Sequence, residues 1–115
     1  MSAVRDDSVY LRHIVDACAR IEEFLKDTSK SDFMKNEELQ SAVLYQIQIV
    51  GEASKRLSEK LREDHPEIVW KKIVGMRDKI VHDYMGVDID YAWQTAIEDV
   101  PAFKGMVINI LENFS

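Results

Sequence analysis

The chain has 115 residues, 46% of them hydrophobic and 31% charged, with a net charge of −6. That length serves one packed core and not two, so a single helical domain over residues 1–115 is expected. One cysteine excludes an intramolecular disulfide and a cysteine-based metal site. No run approaches the roughly twenty apolar residues that cross a bilayer, and "MSAVRDDSVY" lacks the apolar core of a signal peptide, so no membrane contact and a reducing cytoplasm are expected.

The first predicted helix covers about residues 7–26, where Leu11, Ile14, Val15, Cys18, Ile21 and Leu25 recur at three- and four-residue spacing. "DTSKSD" ends it, because small polar side chains compete for backbone hydrogen bonds. A second, longer helix is expected over about 36–62, with Leu39, Val43, Ile47, Val50, Ala53, Leu57 and Leu61 as its core stripe. Gly51 inside it costs roughly 1 kcal/mol relative to alanine, which points to a close crossing by another helix. Gln46 and Glu52 sit near this stripe, placed for a polar contact between helices.

"HPEIVW" reads as a loop and a new start, with Pro66 in the first turn, where its missing N–H costs nothing. The third helix is expected over about 67–85. "GVDID" breaks it, and Asp88 or Asp90 suits the cap of a fourth helix through Asp99. Pro101 starts or kinks the last helix, where Phe103, Val107, Ile110, Leu111 and Phe114 share a face. No segment alternates as a strand does and no repeat is visible, so the fold class is all-α, an antiparallel bundle of four to five helices.

The negative balance opposes indiscriminate binding of nucleic acid, but the charge is uneven. Residues 53–82 hold eight Lys and Arg against five Asp and Glu, a local +3, whereas residues 83–115 hold one Lys against six acids, a local −5. The middle of the chain can attract a phosphate that the molecule as a whole repels.

On a wheel turning 100° per residue, Trp70, Ile73, Val74, Ile80, Val81, Tyr84 and Met85 gather around Arg77. An arginine at the centre of an apolar arc is costly unless it is paired or hydrogen-bonded. Three accounts compete: Arg77 snorkels or pairs with an acid such as Glu52; it points at an anion in a cleft or subunit interface; or the helical register differs. His82 and Asp78, spaced i,i+4, fall one turn apart at the edge of the arc, where such pairs are commonly surface neighbours.

Arg77 and His82 are about 7.5 Å apart along the axis, so both side chains can border one small site. A guanidinium suits a phosphate, and an imidazole suits proton transfer near neutral pH. Asp78 is placed to orient that ring. The set fits phosphodiester cleavage in RNA: a base takes the 2′-hydroxyl proton and the arginine stabilises the charged phosphorane.

Arg77, four residues, His82, one residue and Tyr84 match R-x-x-x-x-H-x-Y, and here the chain resembles the HepT-like toxins of the HEPN superfamily. "YLRHIVDACARIEEFL", "QIQIVGEASKRLSE", "HPEIVWKKIVGMRDKIVHDY" and "DVPAFKGMVINIL" follow that pattern in order. The resemblance implies a helical homodimer whose motif helices line one cleft, and a metal-independent ribonuclease without a cofactor. It assigns Arg77 and His82 as the catalytic pair, Asp78 in support and Tyr84 as the residue that receives AMP. It further implies a toxin of a toxin–antitoxin pair acting on RNA, with a nucleotidyltransferase antitoxin as partner, in a complex that can grow into a larger hetero-oligomer.

The rival reading is a binding subunit that docks the nucleotidyltransferase, or presents nucleotide or substrate to it, without activity of its own. The acidic balance favours it; His82 beside Arg77 favours the enzyme, since binding phosphate needs no base. A purely structural dimer leaves Arg77 without a purpose. His13, His65 and His82 lie in separate segments without metal-ligand spacing. Cys18, Trp70 and Trp93 are expected to be packing residues, and His65 to be solvated.

Overall fold

A computed structural model of the chain describes residues 3–81 and 86–114, with side-chain surroundings from residue 7 onward. The first helix, α1, is Ala3–Leu25. Leu11, Ile14, Cys18 and Ile21 are fully buried along its inner face. Each aliphatic side chain buried in this way contributes about 1.5–3 kcal/mol. After Asp27, whose φ is 60°, Ser29 caps a short helix that the sequence did not announce, α2 (Lys30–Lys35). Its one buried residue is Phe33, whose ring lies 5.3 Å from that of Trp93.

The long second helix expected over 36–62 is two helices. Asn36 caps α3 (Glu37–Lys55), and Ser58 caps α4 (Glu59–Asp64). The break is held from a distance: the Asp7 carboxylate accepts the Ser58 backbone N–H at 2.7 Å and its hydroxyl at 2.6 Å. Ser58 Oγ in turn accepts the Leu61 N–H at 3.1 Å. The apolar spacing runs through the break, because Leu57 and Leu61 are both buried, which is why periodicity alone joined the two.

The third helix is also divided. Residues 66–69 form a turn, followed by α5 (Trp70–Val74), Gly75, and α6 (Met76–Ile80). The buried positions are Trp70, Ile73, Met76 and Ile80, so the inner face advances by three residues per turn across Gly75. Gly75 sits at φ −90°, ψ 0°, in the bridge region between helix and strand. That tightening puts Met76 where a uniform wheel had put Arg77.

Asp88 caps α7 (Ile89–Gln94), as expected, by accepting the Tyr91 N–H at 3.0 Å. The chain continues through a π-helical turn, Thr95–Asp99, into α8 (Val100–Glu112). The Val100 N–H bonds back to the Thr95 carbonyl, one residue further than in an α-helix. This widening lies immediately before Pro101, whose ring would crowd the carbonyl four residues earlier and which has no N–H to give it.

The main helical stretches are α1, α3, α5 with α6, and α7 through α8, the all-α bundle expected, with α2 and α4 as short additions. Both α3 and α8 pack against α1, and α5 and α6 pack against α3. A Cβ on Gly51 would stand 3.3 Å from the Val74 carbonyl oxygen; the glycine marks the close crossing anticipated from the sequence. Cys18 is in the core as expected, its thiol pushed up to about 12 by burial first and the nearby Glu22 carboxylate second. Among the described residues no helix is long and apolar enough to cross a membrane.

Candidate active site

Arg77 is carried on α6 and faces out. Its side chain is 44% exposed and that of Asp78 79% exposed, which corrects the expectation of an arginine inside a buried stripe. Glu52 is not its partner, for that carboxylate lies 4.0 Å from Lys55 Nζ. Instead Arg77 Nη1 donates to Asp78 Oδ1 at 3.2 Å. An ion pair this exposed is worth at most about 1 kcal/mol, so a phosphate can displace the carboxylate at little cost. The guanidinium is therefore available to a ligand without the penalty of burying a cation.

The ground for the rest of the motif is set by the ends of the following segment. Val81 is extended, at φ −101° and ψ 118°, and forms an antiparallel bridge with Val87. The Asp88 N–H donates to the Ile80 carbonyl at 2.7 Å. Gly86, at φ 105°, supplies a backbone conformation that other residues rarely adopt. The chain thus leaves α6 and returns to the cap of α7 at one place. His82 and Tyr84, the expected base and the expected AMP acceptor, lie outside the described residues, as do Asp83 and Met85. The expected contact of Asp78 with His82 falls with them; the contact that is described for Asp78 is to Arg77.

The surroundings separate cationic from anionic surface. Lys71, Lys72 and Lys79 are exposed on α5 and α6, though Lys72 lies 3.6 Å from Asp99. Past the Val81–Val87 bridge the sign reverses. A depression of about 440 Å³ there is lined by Asp88, Asp90, Tyr91, Trp93 and Glu98, with Lys30 held 2.7 Å from Asp90. That hollow is poorly suited to a polyanion despite its volume, and Arg77 is not in it. Among the described residues no group of three or more His, Cys, Asp or Glu is arranged to hold a metal.

Other residues weighed from the sequence fall largely as expected. Trp70 is buried, its indole N–H donating to the His65 carbonyl at 3.1 Å and its ring edge-on to Phe103. Trp93 is half-buried against Phe33. His65 is less solvated than anticipated, its ring nitrogen 3.2 Å from Glu67 Oε2. A second concave surface, between α1 and α3, escaped the sequence reading; its signal was the polar spacing of His13, Asp16 and Arg20 on the outer side of the first helix.

An exposed arginine thus precedes, by five residues, the His82 of the sequence motif, and comparison with known proteins gives the family. The chain belongs to the family described as Ribonuclease HepT-like, which matches residues 14–110. It is 41% identical over 101 residues to "Probable ribonuclease HepT" of Thermococcus cleftensis, covering 88% of this chain and 92% of that protein. It is 39% identical over 103 residues to "Putative RNase TTE0752" of Caldanaerobacter subterraneus subsp. tengcongensis, covering 90% and 92%. A third relative, "Gamma-glutamylcyclotransferase and putative RNase MJ0434" of Methanocaldococcus jannaschii, is 38% identical over 108 residues, 94% of this chain but 49% of that protein. The chain thus spans about half the length of that relative. No solved structure matches the chain.

Proposed function

We propose that this chain is a metal-independent endoribonuclease, the toxin of a toxin–antitoxin pair, acting as a cytoplasmic homodimer. The observation that carries the reading is Arg77, exposed in the first turn of α6 and weakly paired, five residues before His82 in a chain of the HepT-like family. Arg77 holds the scissile phosphate through its guanidinium fork. His82 takes the proton of the 2′-hydroxyl, and that oxygen attacks phosphorus. The bond to the 5′-oxygen breaks, and the proton is delivered to this leaving group. The products are a 2′,3′-cyclic phosphate and a 5′-hydroxyl. Negative charge that builds on the phosphorane is met by Arg77. Asp78 holds Arg77 in place between turnovers and tunes the histidine.

Tyr84 is the point of control. A nucleotidyltransferase antitoxin transfers AMP from ATP to its hydroxyl with release of pyrophosphate. The added nucleotide brings bulk and negative charge to a residue seven positions after the phosphate-binding arginine and opposes RNA by sterics and repulsion. The net charge of −6 favours one competing reading, a non-catalytic subunit that docks the nucleotidyltransferase or presents nucleotide to it. Incubation of the purified protein with total RNA in the presence of a chelator separates the two. Fragments ending in 2′,3′-cyclic phosphate are expected; intact RNA, with Tyr84 unmodified by mass spectrometry, would leave the binding subunit. For the control step, Tyr84→Phe is expected to cleave RNA and to resist the partner enzyme with ATP. Silencing of that variant through AMP transfer would refute Tyr84 as the acceptor.

A further inference from the structure

The outer groove between α1 and α3 has the parts of a nucleotide site. His13, Asp16 and Arg20 project from α1, and Tyr45, Gln46 and Ile49 from α3, around a cavity of about 230 Å³. Tyr45 is 60% exposed, so the face of its ring is open to a stacking partner. Gln46 is 8% exposed, yet it lines the cavity and its amide makes no hydrogen bond among the described residues. Its stem is buried while its amide opens onto the cavity, so water occupies a donor and acceptor that a ligand entering the groove can take over. Arg20 is exposed and belongs to none of the ion pairs among the described residues. His13 is steadied by Tyr10, their rings edge-on with centroids 6.1 Å apart.

We infer that this groove binds one nucleotide of single-stranded RNA away from the point of cleavage. The base stacks on Tyr45, with the half-buried Ile49 as an apolar floor. The Gln46 amide pairs with the base edge, and Arg20 takes the flanking phosphate. Asp16 repels phosphate and so confines the backbone to the Arg20 end of the groove. The cavity accommodates a base rather than a protein helix, and a stable protein interface needs about 800 Å² from each partner. Tyr45 precedes Gly51 by six residues, about 9 Å along the axis of α3, and with Gln46 and Ile49 it lies on the flank of that helix away from Gly51. At Gly51 the end of α5 closes on α3, and Arg77 follows Val74 by three residues. The groove is therefore a contact remote from the arginine, on the other flank of α3. The inference rests on the reading of RNA as substrate, but its test does not need cleavage.

The probe is a fluorescein-labelled, twelve-nucleotide 2′-O-methyl RNA, which lacks the attacking hydroxyl and stays intact. Binding to the full chain is followed by fluorescence anisotropy for wild type, Tyr45→Ala, Tyr45→Phe and Arg20→Ala. Tyr45→Ala is expected to weaken binding about tenfold, the loss of one stacked base, and Tyr45→Phe to retain it. Arg20→Ala is expected to flatten the dependence of log K on log salt by about one phosphate contact; because it leaves Tyr45 in place, it also tests the groove if Tyr45→Ala fails to fold. Equal affinity in wild type and Tyr45→Ala, together with an unchanged salt slope in Arg20→Ala, would overturn the site. So would a Tyr45→Ala variant that dissociates to a smaller species in sedimentation, since the groove would then be a contact between copies. Wild-type protein that binds the probe through Tyr45 but cuts no RNA would support the groove and remove the nuclease reading.

Discussion

A Cβ placed on Gly51 would stand 3.3 Å from the carbonyl oxygen of Val74 and 3.8 Å from that of Ile73. The helix that precedes Arg77 therefore ends against the backbone of α3, and the position of the arginine depends on a missing side chain. Gly51→Ala gains roughly 1 kcal/mol of helix propensity and loses a similar amount to the tight contact, so its stability should stay within about 1 kcal/mol of wild type. Gly51→Val forces a branched side chain onto a carbonyl that cannot turn away and should cost about 1–3 kcal/mol. Urea unfolding of both variants at constant m-value checks this. If Gly51→Val were as stable as wild type, the crossing would be looser than described.

Asp7 and Ser58 stand fifty-one residues apart in sequence, and their contact breaks what would otherwise be one long helix. Asp7→Ala deprives the Ser58 N–H and hydroxyl of their acceptor and should cost about 1–3 kcal/mol. Ser58→Ala also removes the cap of α4, worth about 1 kcal/mol. The two losses share one contact, so the double variant should fall short of the sum of the single ones. Additive effects in thermal unfolding would show that the pair is not coupled.

Cys18 gives the chain a defined alkaline weakness. Its thiol is pushed up to about 12 from 9, so between those values the folded chain keeps a proton that the unfolded chain releases. Unfolding is then favoured as pH rises, by about 1.4 kcal/mol per pH unit from this one group, and below pH 9 the effect vanishes. The same burial should make the thiol inert to alkylating reagents until the protein unfolds. Cys18→Ala should flatten the decline of stability above pH 9, although the cavity it leaves lowers stability at every pH. An identical slope in the variant would assign the alkaline loss to other groups.

Much of the bundle was legible because its stripes obey one rule, burial at three- and four-residue spacing. The inner face of α1, the cap at Asp88 and the close approach at Gly51 were all read from residue type and position. The errors arose where the backbone departs from a uniform helix. Leu57 and Leu61 continue the apolar spacing across a break that is set by Asp7, a residue far away in sequence. Gly75 tightens the turn before α6, and Met76 takes the buried place that a straight helix gives to Arg77. A helical wheel assumes a constant rotation and cannot contain such a step. The arginine's type and its spacing to His82 were visible in the sequence, whereas its exposure was a matter of tertiary structure. The α1–α3 groove needed the fold as well, since neither helix alone shows that Tyr45 and Gln46 stand opposite Arg20.

The measurement that bears most directly on the proposed chemistry compares wild type with His82→Ala on one defined RNA, with chelator present and Tyr84 shown by mass spectrometry to be unmodified in both. A general base contributes about 10²- to 10⁴-fold. The wild-type protein is expected to leave 2′,3′-cyclic phosphate ends, and His82→Ala to slow cleavage by at least a hundredfold while still binding RNA through Arg77. Equal rates in the two proteins, or cleavage that stops in wild type when metal is chelated, would contradict it.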